Sequence, residues 1–181
     1  IMTTVKSIAA SAAAESGGGL STGIAANQAF ASMATVVKTR SDAGQTLDLK
    51  GQADLDAIVD QTVTDMSARQ ASGNPEDAAF ATLNTANLTT ATNALKGANG
   101  ALKAVNAAID GITDLSASNT TSILNAGAQL VKTAEGGSAA VAKLAAFDSD
   151  INGLITAIDG NNAPSALTVG SLSYTYNSAT D

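Results

Sequence analysis

Apolar side chains recur every three or four residues along most of this chain, which is the spacing of one face of an α-helix. The first clear stripe predicts a helix from about Leu20 to Arg40. Its apolar positions are Ala26, Phe30, Met33 and Val37. A second helix is predicted to follow a polar loop at residues 41–51 and to end at Ser72–Gly73. Its apolar face consists of Leu55, Val59, Val63 and Met66.

The longest regular pattern follows the clearest helix-start signal in the chain, Asn74-Pro75-Glu76-Asp77. This tetrapeptide combines an N-cap residue, a proline in the first turn and two acids where the helix dipole favours them. Apolar residues then occupy the a and d positions of a heptad repeat, namely Leu88, Ala91, Leu95, Ala98, Leu102, Val105, Ile109 and Ile112. We predict one helix of about forty residues from Pro75 to Leu115, about 60 Å long.

Shorter helices are predicted on either side of these segments. The stretch from Ile1 to Ala14 can be interpreted as a short first helix or as a signal-like segment. Its lack of Leu and Phe, and the Gly17–Gly19 break that follows it, favour the helix. Two more helices are predicted, from Ser118 to Gly136–Gly137 and from Ser138 to about Asp159. The apolar stripe of the second consists of Val141, Leu144, Ile151, Leu154 and Ile158.

The period of the pattern changes near the C-terminus. Gly160–Pro164 ends helical structure, and side chains alternate in character from Leu172 to Tyr176, which predicts a β-strand or a hairpin folded at Gly170–Ser171. A lone hairpin is barely stable, so it needs a surface to pack on. We therefore expect an Ala-rich antiparallel helical bundle at residues 1–163. A C-terminal β tail at residues 164–181 is expected to pack on the bundle or on a neighbouring subunit.

Composition indicates how much burial such a bundle can achieve. Hydrophobic residues make up 45% of the chain, but Trp is absent and there are only two Tyr and three Phe. Nearly half of the apolar positions are alanines, and burial contributes only about 25 cal/mol per Å² of apolar area. Alanine favours helix formation and close helix packing. We therefore expect further burial to come from neighbouring subunits.

The charged residues and the missing residue types argue against several classes of function. Sixteen acids against nine basic residues give a net charge of −7, and no cluster of Lys and Arg occurs. Nucleic acids and anionic membranes require such a cluster, and no apolar run reaches the length of about 20 residues that a transmembrane helix needs. Because Cys and His are absent, thiolate chemistry, Ser-His-Asp triads and zinc sites are excluded. The sequence thus predicts a protein that is not an enzyme.

One segment has the spacing of a calcium-binding loop. From Asp148 to Asp159, oxygen-bearing side chains fall where an EF-hand loop places its ligands, and a glycine stands at the sixth position. The candidate Ca²⁺ ligands are Asp148, Asp150, Asn152 and Asp159. Against this interpretation, the last ligand is Asp instead of Glu. Helical spacing also continues through the loop, which favours an uninterrupted helix.

A stretch of about twenty residues adds a family resemblance. Residues Gly100–Asn119 read GALKAVNAAIDGITDLSASN. This stretch resembles the N-terminal core helix of bacterial flagellins, in which a Gly-Ala-Leu opening leads through spaced Asn and Ile or Leu positions to a Ser-x-Asn ending. The resemblance implies a filament subunit. The flagellin terminal segments, which pair as the inner coiled coil of the filament, are not recognisable elsewhere in the chain.

Together these features predict a non-enzymatic structural protein that self-assembles into an extracellular filament or a cell-surface layer. Its predicted partner is itself, with the coiled-coil seam giving lateral contacts and the tail giving contacts along the assembly. The predicted self-association residues are Leu88, Leu95, Leu102, Val105, Ile109, Ile112, Leu172, Tyr174 and Tyr176. Two alternatives stay open. One is a virion component such as a tail or head-completion protein, and the other is a secreted helical adhesin or ligand-binding protein.

Overall fold

The computed structural model describes residues 1–17, 19–147 and 152–154, together with the strand residues 168–169 and 172–173. This part of the chain is mostly α-helical, as the sequence predicts. Its α-helices are α1 (Met2–Glu15), α2 (Thr22–Asp42), α3 (Gln52–Ala71), α4 (Thr85–Asp110), α5 (Ser118–Ala134) and α6 (Ser138–Val141). Two 3-10 helices accompany them, at Pro75–Phe80 and Ala142–Phe147.

Local signals set the ends of the predicted helices that the structure confirms. Helix α2 begins where the Ser21 hydroxyl accepts a hydrogen bond from the Ile24 N–H at 3.3 Å, a standard N-cap contact. Helix α3 ends just before Gly73, whose φ of +66° lies in the left-handed region that glycine adopts without strain. The predictions of helices near residues 1–14, 20–40 and 118–136 and of the stop at Ser72–Gly73 are confirmed.

The first four α-helices form an antiparallel bundle, to which the later helices are added. Helix α1 packs on α2, α2 on α3, α3 on α4, and α4 returns to α1. Helix α5 packs across α1 and α4, while α6 and the second 3-10 helix pack on α4. Helices α2 and α5 therefore lie on opposite flanks of the α1 and α4 pair.

Small side chains let α1 lie at the centre of this arrangement. Most of its residues from Thr4 to Ala12 are buried, and the majority of them are Ala or Ser. Larger side chains from the other helices complete the interior around it. The largest fully buried ones include Leu55, Ile58, Met66, Phe80, Leu88, Leu102 and Leu130, together with Ile8 from α1 itself. The single chain thus buries two apolar clusters of its own, despite its Ala-rich composition.

The prediction of one helix of about forty residues is wrong. The start signal at Asn74 does operate, since its side chain accepts a hydrogen bond from the Glu76 N–H at 3.1 Å. It begins only the 3-10 helix Pro75–Phe80, and the chain then turns before α4, which has 26 residues. A second cap causes the new start: the Asn84 side chain accepts hydrogen bonds from the N–H groups of Ala86 and Asn87 at 3.0 and 3.2 Å.

Two apolar side chains explain why the chain breaks there. On a continuous helix at about 100° per residue, Phe80 and Leu83 would point roughly 80° and 140° away from the Leu88 position of the heptad seam. In the structure both are buried with Met66 and Leu88 in one apolar cluster. Arg69 of α3 stacks over the Phe80 ring at 4.9 Å, a cation–π contact. A break in the helix lets both side chains be buried. The free energy gained by this burial outweighs the loss of the backbone hydrogen bonds that a continuous helix would have.

The segment after α5 also departs from the prediction of one α-helix from Ser138 to Asp159. Only Ser138–Val141 is α-helical at its start, and Ala142–Phe147 is a 3-10 helix. The Glu15 carboxylate of α1 caps α6 by accepting a hydrogen bond from the Ser138 N–H at 2.6 Å. Because α6 starts on a contact with α1 and continues along α4, packing and not local periodicity decides its course.

The described part of the tail is a pair of short strands. Strand β1 (Thr168–Val169) pairs antiparallel with β2 (Leu172–Ser173), with Thr168 opposite Ser173. The rest of the predicted β tail lies outside the described residues. Its packing on the bundle or on a neighbouring subunit, and the division at residues 163 and 164, stay predictions.

Candidate functional site

The structure places most of the predicted self-association seam inside the single chain. Leu88, Leu95, Leu102 and Val105 are all buried in the core, with no more than 3% of their surface exposed. Ile109 and Ile112, at the end of the seam, are half-buried. In this fold the four buried residues cannot also contact a second copy. This corrects the assignment of these four to a surface contact, and the reason is that α1, α3 and α5 already cover α4.

The other predicted site residues lie in or near the part of the chain that is not described. Tyr174 and Tyr176 lie outside the described residues, and Leu172 belongs to β2. Of the candidate calcium ligands, Asp148, Asp150 and Asp159 also lie outside them. Asn152 lies in a short helical stretch, residues 152–154. The calcium loop and the tail contact therefore stay predictions.

The outer face of α2 exposes several apolar side chains. Its positions follow a heptad spacing, and every one of them is exposed: Gly23, Asn27, Phe30, Ala34, Val37 and Ser41. Ile24 and Ala31 lie beside this row and are also exposed. Phe30 and Val37, one heptad apart, leave 39% and 45% of their surface in solvent, and Ile24 leaves 37%. We call this set the α2 face.

The α2 face carries no charge along most of its length. No Asp, Glu, Lys or Arg occurs from Thr22 to Val37, about four turns of helix. The neighbouring helix α3, by contrast, carries four acids, at Asp54, Asp56, Asp60 and Asp65. Charge appears on α2 only at its C-terminal end, where Lys38 and Asp42 form an exposed ion pair at 2.6 Å. Depletion of charge together with an exposed aromatic is typical of the centre of a protein interface.

A polar contact with α3 turns this face outward. The Asp65 carboxylate accepts hydrogen bonds from the Ser32 hydroxyl at 2.7 Å and the Gln28 amide at 3.3 Å. Both donors lie on the inner side of α2, with Met33 and Val36 beside them. Because Asp65 holds Gln28 and Ser32 inward, the opposite side of the helix, with Phe30 and Val37, must face solvent.

Sequence periodicity alone did not reveal this face. The stripe of Ala26, Phe30, Met33 and Val37 is coherent, but the centre of the buried side of α2 is turned from it by roughly 100° about the helix axis. Ala25, Ala29 and Ser32 make the inner side small enough to pack closely on α1. No charge occurs from Thr22 to Val37 on either side of the helix, so the sequence contains no local signal that distinguishes the outer side from the inner one.

A second candidate surface lies at the N-terminal end of α1. It is an open groove of about 580 Å³ lined by Ile1, Met2, Leu47, Leu49 and Ile109. An exposed ion pair between Lys50 and Asp110, 2.8 Å apart, lies at its edge. Their mutual hydrogen bond and opposite charges raise the pKa of Lys50 and lower the pKa of Asp110. These shifts stabilise the charged forms of both groups, so the pair stays ionised near neutral pH.

Within the described ranges, no group of three His, Cys, Asp or Glu side chains is arranged to hold a metal ion. Nor does any helix there have the length and apolarity needed to cross a bilayer. No family model matches this chain, and neither a curated protein nor a solved structure is detectably similar to it.

Proposed function

We propose that this protein is a non-enzymatic structural subunit that assembles with copies of itself in an extracellular filament or a cell-surface layer. The observation that carries the proposal is the α2 face, an exposed apolar strip about four turns long without charge. It takes over the role that the sequence alone assigned to the Leu88–Ile112 seam. The local resemblance of residues 100–119 to flagellins supports the same class of function.

The energetic reason for association is the apolar area on this face. Exposed apolar surface is favourable to bury, at about 25 cal/mol per Å². A few side chains near the centre of an interface, often aromatic ones, contribute most of the binding free energy. Phe30 has this position, since it lies midway along the uncharged part of α2. Its burial against another subunit would remove the exposed part of this aromatic ring from water.

Electrostatics favours the same face. Each copy carries a net charge of −7, so two copies repel each other through most of their surfaces. The repulsion is smallest where neither copy presents an acid. The α2 face meets this condition, whereas the exposed side of α3, with Asp60, does not.

The test is the effect of Phe30→Asp on self-association. We expect the wild type to associate with rising concentration in sedimentation velocity. The substitution should weaken that association at least about tenfold, because it removes the aromatic contact and puts a charge into the interface. Leu115→Asp is the matched control, since Leu115 is 82% exposed in the loop before α5 and should change association little.

Negative-stain imaging distinguishes the proposed assemblies. Filaments or sheets would favour the extracellular filament or surface layer, and rings or tubes would favour a virion component. A wild-type protein that stays monomeric up to about millimolar concentration would overturn the proposal, because Kd values weaker than this correspond to only about 4 kcal/mol of binding free energy. A stable monomer would favour the adhesin or ligand-binding alternative, with the groove beside Ile109 as its binding surface.

A further inference from the structure

The α2 face has the residue sizes needed to pack against a copy of itself. Its heptad row alternates between two sets of side chains. The d positions are Gly23, Phe30 and Val37, and the a positions are Asn27, Ala34 and Ser41. Around the middle of the row, a large apolar side chain is always followed by a smaller one. Such alternation lets facing layers fit together without voids or overlap.

This arrangement selects one relative orientation of two helices. In an antiparallel pair centred near residue 32, Phe30 meets Ala34 of the second copy, and Val37 meets Asn27. Both contacts join a large side chain to a smaller one. In a parallel pair in register, Phe30 would meet Phe30 of the second copy, and Ala34 would meet Ala34. The phenylalanine layer would be overpacked, and the alanine layer beside it would leave a void. We propose that α2 pairs antiparallel with α2 of a second copy through this face.

The residues that flank the row agree with the antiparallel pairing. Ala31 lies beside the two-fold axis, where its small side chain lets the helices approach to the 8–10 Å typical of packed helices. Ile24 of one copy falls near Lys38 of the other, whose four-carbon stem can cover it while the ammonium group stays in solvent. The Lys38 side chain is 75% exposed in the single chain, so it can lie over Ile24 of the second copy. In the single chain it pairs with Asp42 at the helix end.

The lack of charge on the α2 face fits a second copy of this chain as the occupant. An acidic or basic partner would need a charged face to recognise, and from Thr22 to Val37 the α2 face offers none. Two copies with a net charge of −7 each can approach closely only through uncharged faces. The α2 face is uncharged on both copies of the pair by symmetry.

The pairing rests on the proposed function and makes it more specific. A two-fold contact uses the same surface on both copies and therefore closes on itself. The dimer would then be the building unit, and a filament or layer would need a second contact. Helix α5 offers an uncharged outer side of its own from Ser118 to Val131, where Leu124 is 49% exposed.

Cysteine cross-linking tests the orientation. The chain has no cysteine, so each introduced thiol is the only one in its copy. We compare Asn27→Cys alone, Val37→Cys alone and an equal mixture of the two under mild oxidation, with Leu115→Cys as a control for random collision. Antiparallel pairing brings Asn27 next to Val37 of the second copy, within the Cα separation of about 4–7 Å that a disulfide requires. It keeps the two Asn27 residues about 15 Å apart.

The mixture should therefore form a mixed disulfide at least about tenfold faster than the control, and each single variant should not. Rapid linking of Asn27→Cys to itself would show a parallel pair and overturn the inference. If the wild type associates but the mixture links no faster than Leu115→Cys, another surface mediates association; the pairing fails and the proposed function stands. If the wild type stays monomeric in sedimentation, both fail.

Discussion

Leu102→Ala is expected to lower the free energy of unfolding by about 3 kcal/mol, because it removes a buried leucine from the centre of α4 and leaves a cavity. Leu102 is 2% exposed and belongs to the main apolar cluster with Val5, Leu95 and Val105. Surrounding helices can close such a cavity only in part, since protein interiors are densely packed. The measurement is urea unfolding followed by circular dichroism at a concentration low enough to keep the protein monomeric.

Leu124→Ala is the matched control for this prediction. It makes the same chemical change on α5, but 49% of Leu124 is exposed, so we expect a loss of no more than about 1 kcal/mol. The comparison also tests whether the heptad seam on α4 lies in the core of the single chain or on its surface. If both variants unfolded with the same free energy as the wild type at low concentration, the Leu88–Val105 row could not form the core of the single chain.

Asp54→Ala is expected to lower the free energy of unfolding by about 2 kcal/mol, the scale of a partly buried charge left without its partner. Asp54 forms an ion pair with Arg40 at 2.6 Å and accepts a hydrogen bond from the Asp48 N–H at 2.6 Å. These contacts join the end of α2, the following loop and the start of α3. Removing the carboxylate leaves Arg40, whose side chain is 30% exposed, and the Asp48 N–H without this partner.

Asp42→Ala is the control for an ion pair in solvent. Asp42 pairs with Lys38 at the same distance, but both side chains are more than half exposed. Pairs of this kind contribute about 0–1 kcal/mol, so we expect a change within about 0.5 kcal/mol. Thermal and urea unfolding of the two variants give the comparison. Equal effects would mean that burial of Asp54 does not strengthen its contacts, contrary to the reasoning above.

Local chemistry explains which helices the sequence predicted well. Ser21 caps α2 and Gly73 follows α3, and both act through the backbone of their immediate neighbours. The helix propensity of alanine and the lack of proline inside these segments act over the same short range. Such signals can be read from the residues themselves, which is why the ends of α1, α2, α3 and α5 agree with expectation within about two residues.

The segment from Pro75 to Leu115 shows that local sequence signals do not always predict where a helix begins. Its start signal and its heptad seam are both present, but they belong to two different helices. The break depends on Phe80 and Leu83, which gain burial only because Met66 of α3 lies beside them. That contact joins residues distant in sequence, and periodicity within one helix contains no information about it.

For the candidate site too, some features follow from the sequence and others only from the tertiary structure. The sequence by itself determined that the chain is helical, that its charge is strongly negative, and that no charge occurs from Thr22 to Val37. Only the tertiary structure decided which apolar rows are interior. It buried Leu88–Val105 and, through Asp65 and Ser32, turned Phe30 and Val37 to solvent. The physical reason is that a helix with apolar residues on two sides has no preferred inner side until another helix packs against it.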